Sequence, residues 1–174
     1  MDYFAFRGSE IVRYDTSQDF TMKRVLTDTS AKIFKQYRVE IPIPAMQKYL
    51  SQGYITQFDK ATRRGYNYDF SEILEECNQN VAKEAIDYFC ELFNYFLEYR
   101  YLILTGGTGE AWFRYFKEAL AGIPNLTVLP GNKGTEGFFQ DSDGNGSPLP
   151  FFFSNVRGYY FSLQLRLMRE KNLV

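Results

Sequence analysis

The stretch of sequence that decides the fold runs Tyr101-Leu-Ile-Leu-Thr-Gly-Gly-Thr-Gly-Glu110, and it is followed at once by Ala111-Trp-Phe-Arg-Tyr-Phe-Lys-Glu-Ala-Leu120. The apolar run at its beginning predicts a short, fully buried strand, and the segment from Ala111 predicts a helix. Between them, Gly106, Gly107 and Gly109 predict a tight turn. Glycine is favoured there because it adopts left-handed conformations at little cost and lets a ligand approach the backbone closely.

A glycine turn at the start of a helix has a chemical consequence. The first N–H groups of a helix lack partners within the helix, and its dipole places positive charge at the same point. Nucleotide sites in α/β proteins are commonly built in this way. The alternative, left open by these residues alone, is a strand-to-helix turn that needs glycine only for steric reasons.

Two familiar phosphate-binding loops are excluded at this position. A Walker loop places Lys and Ser or Thr after its last glycine, whereas Glu110 and Ala111 follow Gly109 here. A dinucleotide-binding loop requires another glycine three residues past Gly109, where the chain has Trp112.

Composition narrows the possible chemistry further. The chain has 174 residues, enough for one domain, and contains no histidine, which excludes Ser-His-Asp and Cys-His catalysis and most zinc sites. Its net charge of −1 gives no reason to expect direct binding to nucleic acid or to a membrane. Cys77 and Cys90 fall in one predicted helix, about 20 Å apart along its axis, so they cannot pair. Without a signal peptide or a long apolar run, we expect a reduced, cytoplasmic protein.

The remaining elements follow from hydrophobic spacing and from turn residues. A strand and turn at 2–8, ending in Gly8, with a hairpin partner at 10–14, are predicted to open the chain. A weak strand is predicted at 54–58, and polar residues at 63–67 predict a turn. Helices are predicted at 21–38, 45–52, 71–99, 111–121 and 151–169, and strands at 102–105 and 126–129. This order predicts an α/β fold with one mixed sheet, whose opening strands are antiparallel and whose last two are parallel, and with helices on both faces.

One segment partly matches a calcium-binding loop. Asp141-Ser-Asp-Gly-Asn-Gly146 matches the first six positions of an EF-hand loop, but the twelfth position holds Phe152 instead of a bidentate Glu. We interpret the segment as a flexible, metal-free loop, since Asp, Asn, Ser and Gly also dominate solvated turns.

Several segments taken together resemble the C-terminal half of ParM/StbA-type actin-like ATPases. The segment Leu102-Ile-Leu-Thr-Gly-Gly-Thr-Gly-Glu110 looks like the adenosine motif of that superfamily. Phe153-Ser-Asn-Val-Arg-Gly-Tyr-Tyr160 looks like the helix that closes the second ParM domain. Asp2-Tyr-Phe-Ala-Phe6 is similar to the end of the second phosphate motif, D-[IL]-G-G-x-T-x-D, with Asp2 as the closing aspartate and the preceding part absent.

The resemblance implies a fold of RNase H type and covers nearly the whole chain, although 36–67 matches only in outline. It implies that 1–174 is the second domain of an actin-like ATPase, with about 21–70 as subdomain IIB and the remainder as IIA, and with the first domain absent. It further implies that Gly106, Gly107, Thr108, Gly109 and Glu110 bind the nucleotide. Asp2 would be the catalytic carboxylate and would face Mg²⁺ indirectly, through a metal-bound water.

Two functions from different classes remain. By the resemblance, the chain is one wall of a Mg²⁺–ATP or Mg²⁺–GTP cleft in a protein that self-associates into filaments and segregates plasmid or phage DNA. Its partners would be the missing N-terminal domain and a DNA-binding adaptor protein, with no direct contact to nucleic acid or membrane, and this half alone would be a poor ATPase. The alternative is a non-catalytic protein-interaction module of the same fold, which the aromatic content of 18% also suits.

Overall fold

The computed structural model describes residues 1–8, 10–50, 52–134, 139–140, 146–147, 150–155, 160 and 167. The chain divides into two compact units, Met1–Tyr88 and Phe89–Val174. The elements in chain order are β1 (Asp2–Arg7), β2 (Glu10–Thr16), α1 (Met22–Tyr37), α2 (Ile43–Lys48), β3 (Tyr54–Asp59), β4 (Arg64–Asp69), α3 (Ser71–Leu92), a 3₁₀ turn (Asn94–Phe96), β5 (Tyr101–Leu104), α4 (Gly106–Ala119), β6 (Thr127–Pro130), β7 (Phe139–Gln140), β8 (Gly146–Ser147) and a second 3₁₀ turn (Phe151–Phe153).

The described strands form four separate two-stranded sheets, and the predicted single mixed sheet is therefore not found among them. The pairs β1–β2, β3–β4 and β7–β8 are antiparallel, and β5–β6 is parallel. The antiparallel opening hairpin and the parallel pair are thus confirmed. Helix α4 lies between β5 and β6 in the chain, and no ladder links one described pair to another.

The first unit is built around a compact apolar cluster. Its buried members are Leu26, Ile33, Val39, Ile41, Met46, Ile55 and Phe70. They come from α1, α2, β3, the segment between α1 and α2, and Phe70 between β4 and α3. Removing this surface from water is the main driving force for folding of the unit. Thr21 caps α1 by accepting a hydrogen bond from the backbone N–H of Arg24 at 3.2 Å.

Ion pairs join α1 to α3 at the surface of the first unit. Arg24 contacts Glu84 at 2.7 Å, and Lys32 contacts Glu76 at 2.7 Å. The hydrogen bond to Glu76 raises the pKa of Lys32 above its usual value. Because all four side chains are substantially solvated, these pairs fix helix orientation more than they stabilise the fold.

Strand β4 corrects the predicted turn at 63–67. Residues Arg64–Asp69 pair in register with β3, and the Thr56 hydroxyl donates to the side-chain oxygen of Asn67 at 2.7 Å. The polar composition indicated a turn because this strand is exposed almost throughout.

Helix α3 ends at Leu92, seven residues before the predicted end at 99. The chain then enters left-handed conformations at Asn94, Tyr95 and Phe96, with φ of 47°, 54° and 57°. The helix ends at Leu92, but the apolar spacing continues beyond it, because Phe93 and Phe96 pack together with 5.6 Å between their ring centroids. Cys77 and Cys90 both lie in α3 and are not joined in a disulfide, as predicted.

In the second unit, helix α4 packs on the parallel pair β5–β6. Trp112 and Phe116 are the fully buried anchors of α4, and Leu104 is the buried residue of β5. Tyr101 and Ile103 are 63% and 57% exposed, so the prediction of a fully buried strand is wrong. Successive side chains of a strand point to opposite faces, and in the described part of the chain only the α4 face of β5 is covered.

Residues 141–145 of the predicted calcium-like loop and most of the predicted last helix lie outside the described residues, and Gly146 begins β8. Among the helices described, none combines the length and the apolar character needed to cross a membrane.

Candidate functional site

The glycine turn lies at the carboxyl end of β5 and forms the first turn of α4 itself. Thr105 is extended, Gly106 adopts φ +74°, and the helix is counted from Gly106 instead of from Ala111 as predicted. Glu110 is therefore the fifth residue of α4, not its beginning. A helix can start on glycines because its first N–H groups need no helical acceptor, so the low helix propensity of glycine matters less there.

The amino end of α4 is open to a ligand. Thr105 makes no capping hydrogen bond through its side chain, and among the described residues the first turn of α4 carries no acidic side chain. The positive end of the helix dipole is therefore not neutralised by the helix's own residues. An anionic or hydrogen-bond-accepting group is the chemistry that such an end attracts.

The three glycines of the turn have different surroundings. Among the described residues, nothing lies within 4 Å of a Cβ atom added at Gly106 or Gly107, so that part of the chain leaves open space over both residues. A Cβ at Gly109 would lie 3.1 Å from the carbonyl carbon of Leu104 and 3.4 Å from its Cβ atom. Gly109 is buried against β5, and its small size lets helix and strand approach each other.

The two other predicted residues of this segment differ in exposure. Thr108 is half-buried and Glu110 is exposed. The stretch from Gly106 to Glu110 therefore presents two open backbone positions, one partly accessible hydroxyl and one solvated carboxylate.

A fourth glycine, which the sequence reasoning missed, lies at this end of the parallel pair. Gly131 directly follows β6 and donates its N–H to the carbonyl of Leu104 at 2.8 Å. A Cβ atom there would lie 2.7 Å from that carbonyl oxygen and 2.9 Å from the Ser154 hydroxyl. The Pro-Gly pair at the end of β6 is the available signal in the sequence, because it marks a turn.

The Ser154 hydroxyl oxygen is buried and has no hydrogen-bond partner within the part of the chain that the structure describes. Buried hydroxyl groups are normally satisfied, so an unpaired one beside Gly131 marks a place where polar contacts are incomplete. It lies next to Thr105, the residue before the glycine turn, since the same added Cβ at Gly131 would also meet Thr105 Cγ2 at 2.9 Å.

Asp2 is the first residue of β1 and is exposed. Its carboxylate accepts a hydrogen bond from the Thr16 hydroxyl at 2.8 Å, across the β1–β2 pair. This contact orients the carboxylate and leaves it accessible, as a residue that holds a metal-bound water requires. Asp2 belongs to the first unit and the glycine turn to the second, so their convergence on one ligand stays a prediction.

No group of three or more Cys, Asp or Glu side chains suited to bind a metal occurs among the described residues. A magnesium ion, however, often keeps its waters and needs only one or two carboxylates besides nucleotide phosphates. The exposed Asp2 carboxylate fits that limited role.

A surface groove of about 510 Å³ lies elsewhere in the second unit, at the amino ends of β5 and β6. It is lined by residues 97–101 with Asn125 and Thr127. The strands run from this groove towards Leu104 and Pro130, so the groove and the glycine turn lie at opposite ends of the parallel pair.

The fold has a counterpart among solved structures, described as the pCBH ParM non-polymerisable quadruple mutant. The two chains share 12% sequence identity with a TM-score of 0.54, over 87% of this chain and 40% of the ParM chain. At this identity the likeness shows an actin-like fold of the α/β class, and the chain spans less than half of the ParM chain's length. No protein-family model matches the sequence, and no curated protein matches it.

Proposed function

We propose that this chain is the second domain of an actin-like, filament-forming protein that segregates plasmid or phage DNA, and that it contributes one wall of an ATP or GTP cleft. The arrangement of subdomains, with about 21–70 as IIB and the rest as IIA in a fold of RNase H type, belongs to this proposal. The actin-like fold makes the assignment reasonable, but the argument for nucleotide binding comes from the glycine turn.

The observation that carries the proposal is the open amino end of α4. The helix start is uncapped, and the space over Gly106 and Gly107 is free. A flat base or a ribose can therefore contact the backbone there, with Thr108 beside it. Gly109 serves the site indirectly, because it sets the distance between α4 and β5.

Asp2 supplies the carboxylate of the proposed cleft. With Mg²⁺ and the nucleotide bound, the carboxylate would hold a metal-bound water and orient the attacking water, a role that suits a carboxylate. Phosphoryl transfer also needs charge stabilisation from the other side of the γ-phosphate, which the first domain supplies in actin-like proteins. The chain on its own is therefore expected to bind nucleotide weakly and to hydrolyse it poorly.

The test uses two matched valine substitutions, one in the first turn of α4 and one three residues past its last residue. Gly107→Val fills the space over the turn, and Gly122→Val adds the same side chain where nothing lies within 4 Å either. Binding of a fluorescent ATP or GTP analogue to the intact chain, followed by anisotropy, should weaken about tenfold or more for Gly107→Val and stay unchanged for Gly122→Val. Equal binding by the two variants would remove the support for a nucleotide site.

Asp2→Ala tests the second half of the proposal. The variant should bind the analogue as the unchanged chain does, but assemblies formed with the first domain and Mg²⁺ should release phosphate more slowly and last longer. If Asp2→Ala instead abolishes binding, the carboxylate has a different role from the one proposed.

A non-catalytic interaction module remains the alternative function. Exposed aromatic side chains on the β1–β2 hairpin favour it, because protein interfaces are enriched in such residues. The interaction-module hypothesis predicts that the unchanged chain, Gly107→Val and Gly122→Val all fail to bind the nucleotide analogue.

A further inference from the structure

The backbone of the hairpin β1–β2 brings Asp2 and Thr16 unusually close together. The two residues lie directly opposite each other in the ladder. Beside them, the Met1 amino group donates to the Ser17 carbonyl, and the Ser17 N–H donates back to the Met1 carbonyl at 2.9 Å. Hydrogen-bonded and non-hydrogen-bonded pairs alternate along an antiparallel ladder. Asp2 and Thr16 therefore form a non-hydrogen-bonded pair, the kind in which opposite side chains approach most closely.

The side-chain contact in this pair engages only one oxygen of the carboxylate. The Thr16 hydroxyl donates to Oδ1 of Asp2 at 2.8 Å, and both residues are exposed. An ionised carboxylate offers about four acceptor positions on its two oxygens. The hydroxyl takes one of them, on Oδ1, and this contact leaves Oδ2 to accept a hydrogen bond from a water.

Thr16 is itself held in place. Its backbone N–H donates to Oδ1 of Asp15 at 2.7 Å. In a non-hydrogen-bonded pair this N–H points away from the opposite strand, so the Asp15 side chain satisfies a group that the ladder does not. The threonine side chain is branched at Cβ and has few χ1 rotamers. The hydroxyl of Thr16 therefore has a defined position relative to Asp2.

Orientation of the Asp2 carboxylate matters for the role proposed for it. An exposed aspartate without a partner moves among staggered rotamers. A group that takes part in a reaction must stay within about 0.5 Å of its productive position. The hydrogen bond from Thr16 supplies that restraint at the surface of β1, where packing does not.

We propose that Thr16 is the positioning residue of Asp2, whose Oδ1 it holds so that Oδ2 faces the metal-bound water. This inference rests on the proposed function, in which Asp2 orients that water. Thr16 acts through Asp2 and needs no contact of its own with nucleotide or Mg²⁺. Residues that hydrogen-bond to the carboxylates of a metal site typically change affinity or activity about 10- to 100-fold when they are replaced.

The chain offers a matched control for the loss of this hydroxyl. Thr16→Val removes the hydroxyl but keeps the branched shape and the strand preference of threonine, whereas Thr16→Ser keeps the hydroxyl. On the other hairpin, the Thr56 hydroxyl donates to Oδ1 of Asn67, directly opposite, at 2.7 Å and also at an exposed position. Thr56→Val therefore removes a hydrogen bond of the same kind, and a purely structural effect should be similar in both valine variants.

The first measurement uses the intact chain without nucleotide. Scalar couplings from Hα to the Hβ protons of Asp2, measured by NMR, report how far one χ1 rotamer is fixed. These couplings should be unequal in the unchanged chain, in Thr16→Ser and in Thr56→Val, and should average in Thr16→Val. Couplings that are averaged already in the unchanged chain, or that stay unequal in Thr16→Val, would overturn the inference.

The second measurement is phosphate release by assemblies formed with the first domain and Mg²⁺. Thr16→Val should slow the release about tenfold and leave the KM for the nucleotide unchanged. Thr16→Ser should restore most of the rate, and Thr56→Val should behave as the unchanged chain does. In an Asp2→Ala background, Thr16→Val should have no further effect, because the two residues act as a unit.

The variants separate failure of this inference from failure of the proposed function. Slow release by Asp2→Ala with normal release by Thr16→Val would overturn the positioning role of Thr16 alone. A further loss from Thr16→Val in the Asp2→Ala background would also overturn it, since Thr16 would then act by another route. Normal release by Asp2→Ala would contradict the role of Asp2 in the proposed function, and the positioning role would fall with it.

Discussion

Adding one methyl group at each of two glycines of the α4 turn should have opposite effects on stability. In Gly109→Ala, the new Cβ would lie 3.1 Å from the carbonyl carbon of Leu104. That neighbour is backbone and cannot rotate away, so α4 must move from β5. Overpacking of this kind typically costs about 1–3 kcal/mol of the free energy of unfolding.

Gly107→Ala is the reference change, two residues earlier in the same helix turn. The added Cβ meets no atom within 4 Å, and the residue has no left-handed φ. Alanine there restricts the unfolded chain, so the free energy of unfolding should rise by about 0.4–1 kcal/mol. The two variants should therefore differ by roughly 1.5–4 kcal/mol.

Urea unfolding followed by tryptophan fluorescence measures both values, because Trp112 lies in α4. The slope of the transition should be the same for both variants, so that the shift in midpoint reports stability alone. If Gly109→Ala is as stable as Gly107→Ala, then the close packing of α4 on β5 is incorrect, and the argument that Gly109 serves packing fails with it.

Three further outcomes follow from individual contacts. Desolvation, and after it the hydrogen bond to Tyr88, raises the pKa of Tyr3 above its usual value of 10.0. The stability that Tyr3 contributes is therefore present below pH 10.0 and is lost as the pH rises through the pKa of the folded state. The free energy of unfolding, measured with urea at a series of alkaline pH values, should therefore fall more steeply with pH for the unchanged chain than for Tyr3→Phe. Arg24→Ala removes the ion pair with the solvated Glu84 and should cost less than about 1 kcal/mol, a loss that high salt diminishes. Tyr95 has a left-handed φ of 54°, which glycine adopts at less cost. Tyr95→Gly should therefore increase the free energy of unfolding by about 1 kcal/mol and raise the melting temperature.

The sequence predicted the parts of the fold that depend on local pattern. The Gly8 turn between two alternating strands indicated the opening hairpin, and the apolar runs at Leu102 and Val128 indicated the parallel pair. Which face of β5 is covered could not be derived in the same way. An apolar run such as Tyr101–Leu104 predicts burial on both faces, but burial depends on how many strands and helices surround it, and α4 covers one face.

Helix boundaries were the less predictable part. Apolar spacing continues beyond Leu92 because Phe93 and Phe96 still join an aromatic cluster, so periodicity alone could not show that the backbone turns left-handed at Asn94. The glycines at the start of α4 indicated a turn because glycine has a low helix propensity. That propensity applies to the interior of a helix, whereas the first helical turn needs few backbone hydrogen bonds.

For the candidate site, the glycine turn could be identified from the sequence, but the different surroundings of its three glycines could not. The difference between open Gly107 and crowded Gly109 depends on where α4 lies against Leu104. Gly131 and Ser154 were missed for the same reason. They meet Thr105 only because β6 runs parallel to β5 and ends at the same edge, which is a tertiary relation with no local signal.

The burial of Trp112 gives this protein a built-in optical probe. The chain contains one tryptophan, and it is fully buried in the second unit. Excitation near 295 nm therefore reports on that unit alone, while far-ultraviolet circular dichroism reports on the helices of both. Coinciding transitions in the two signals would mean that 174 residues melt as one cooperative body, and separated transitions would give each unit a stability of its own.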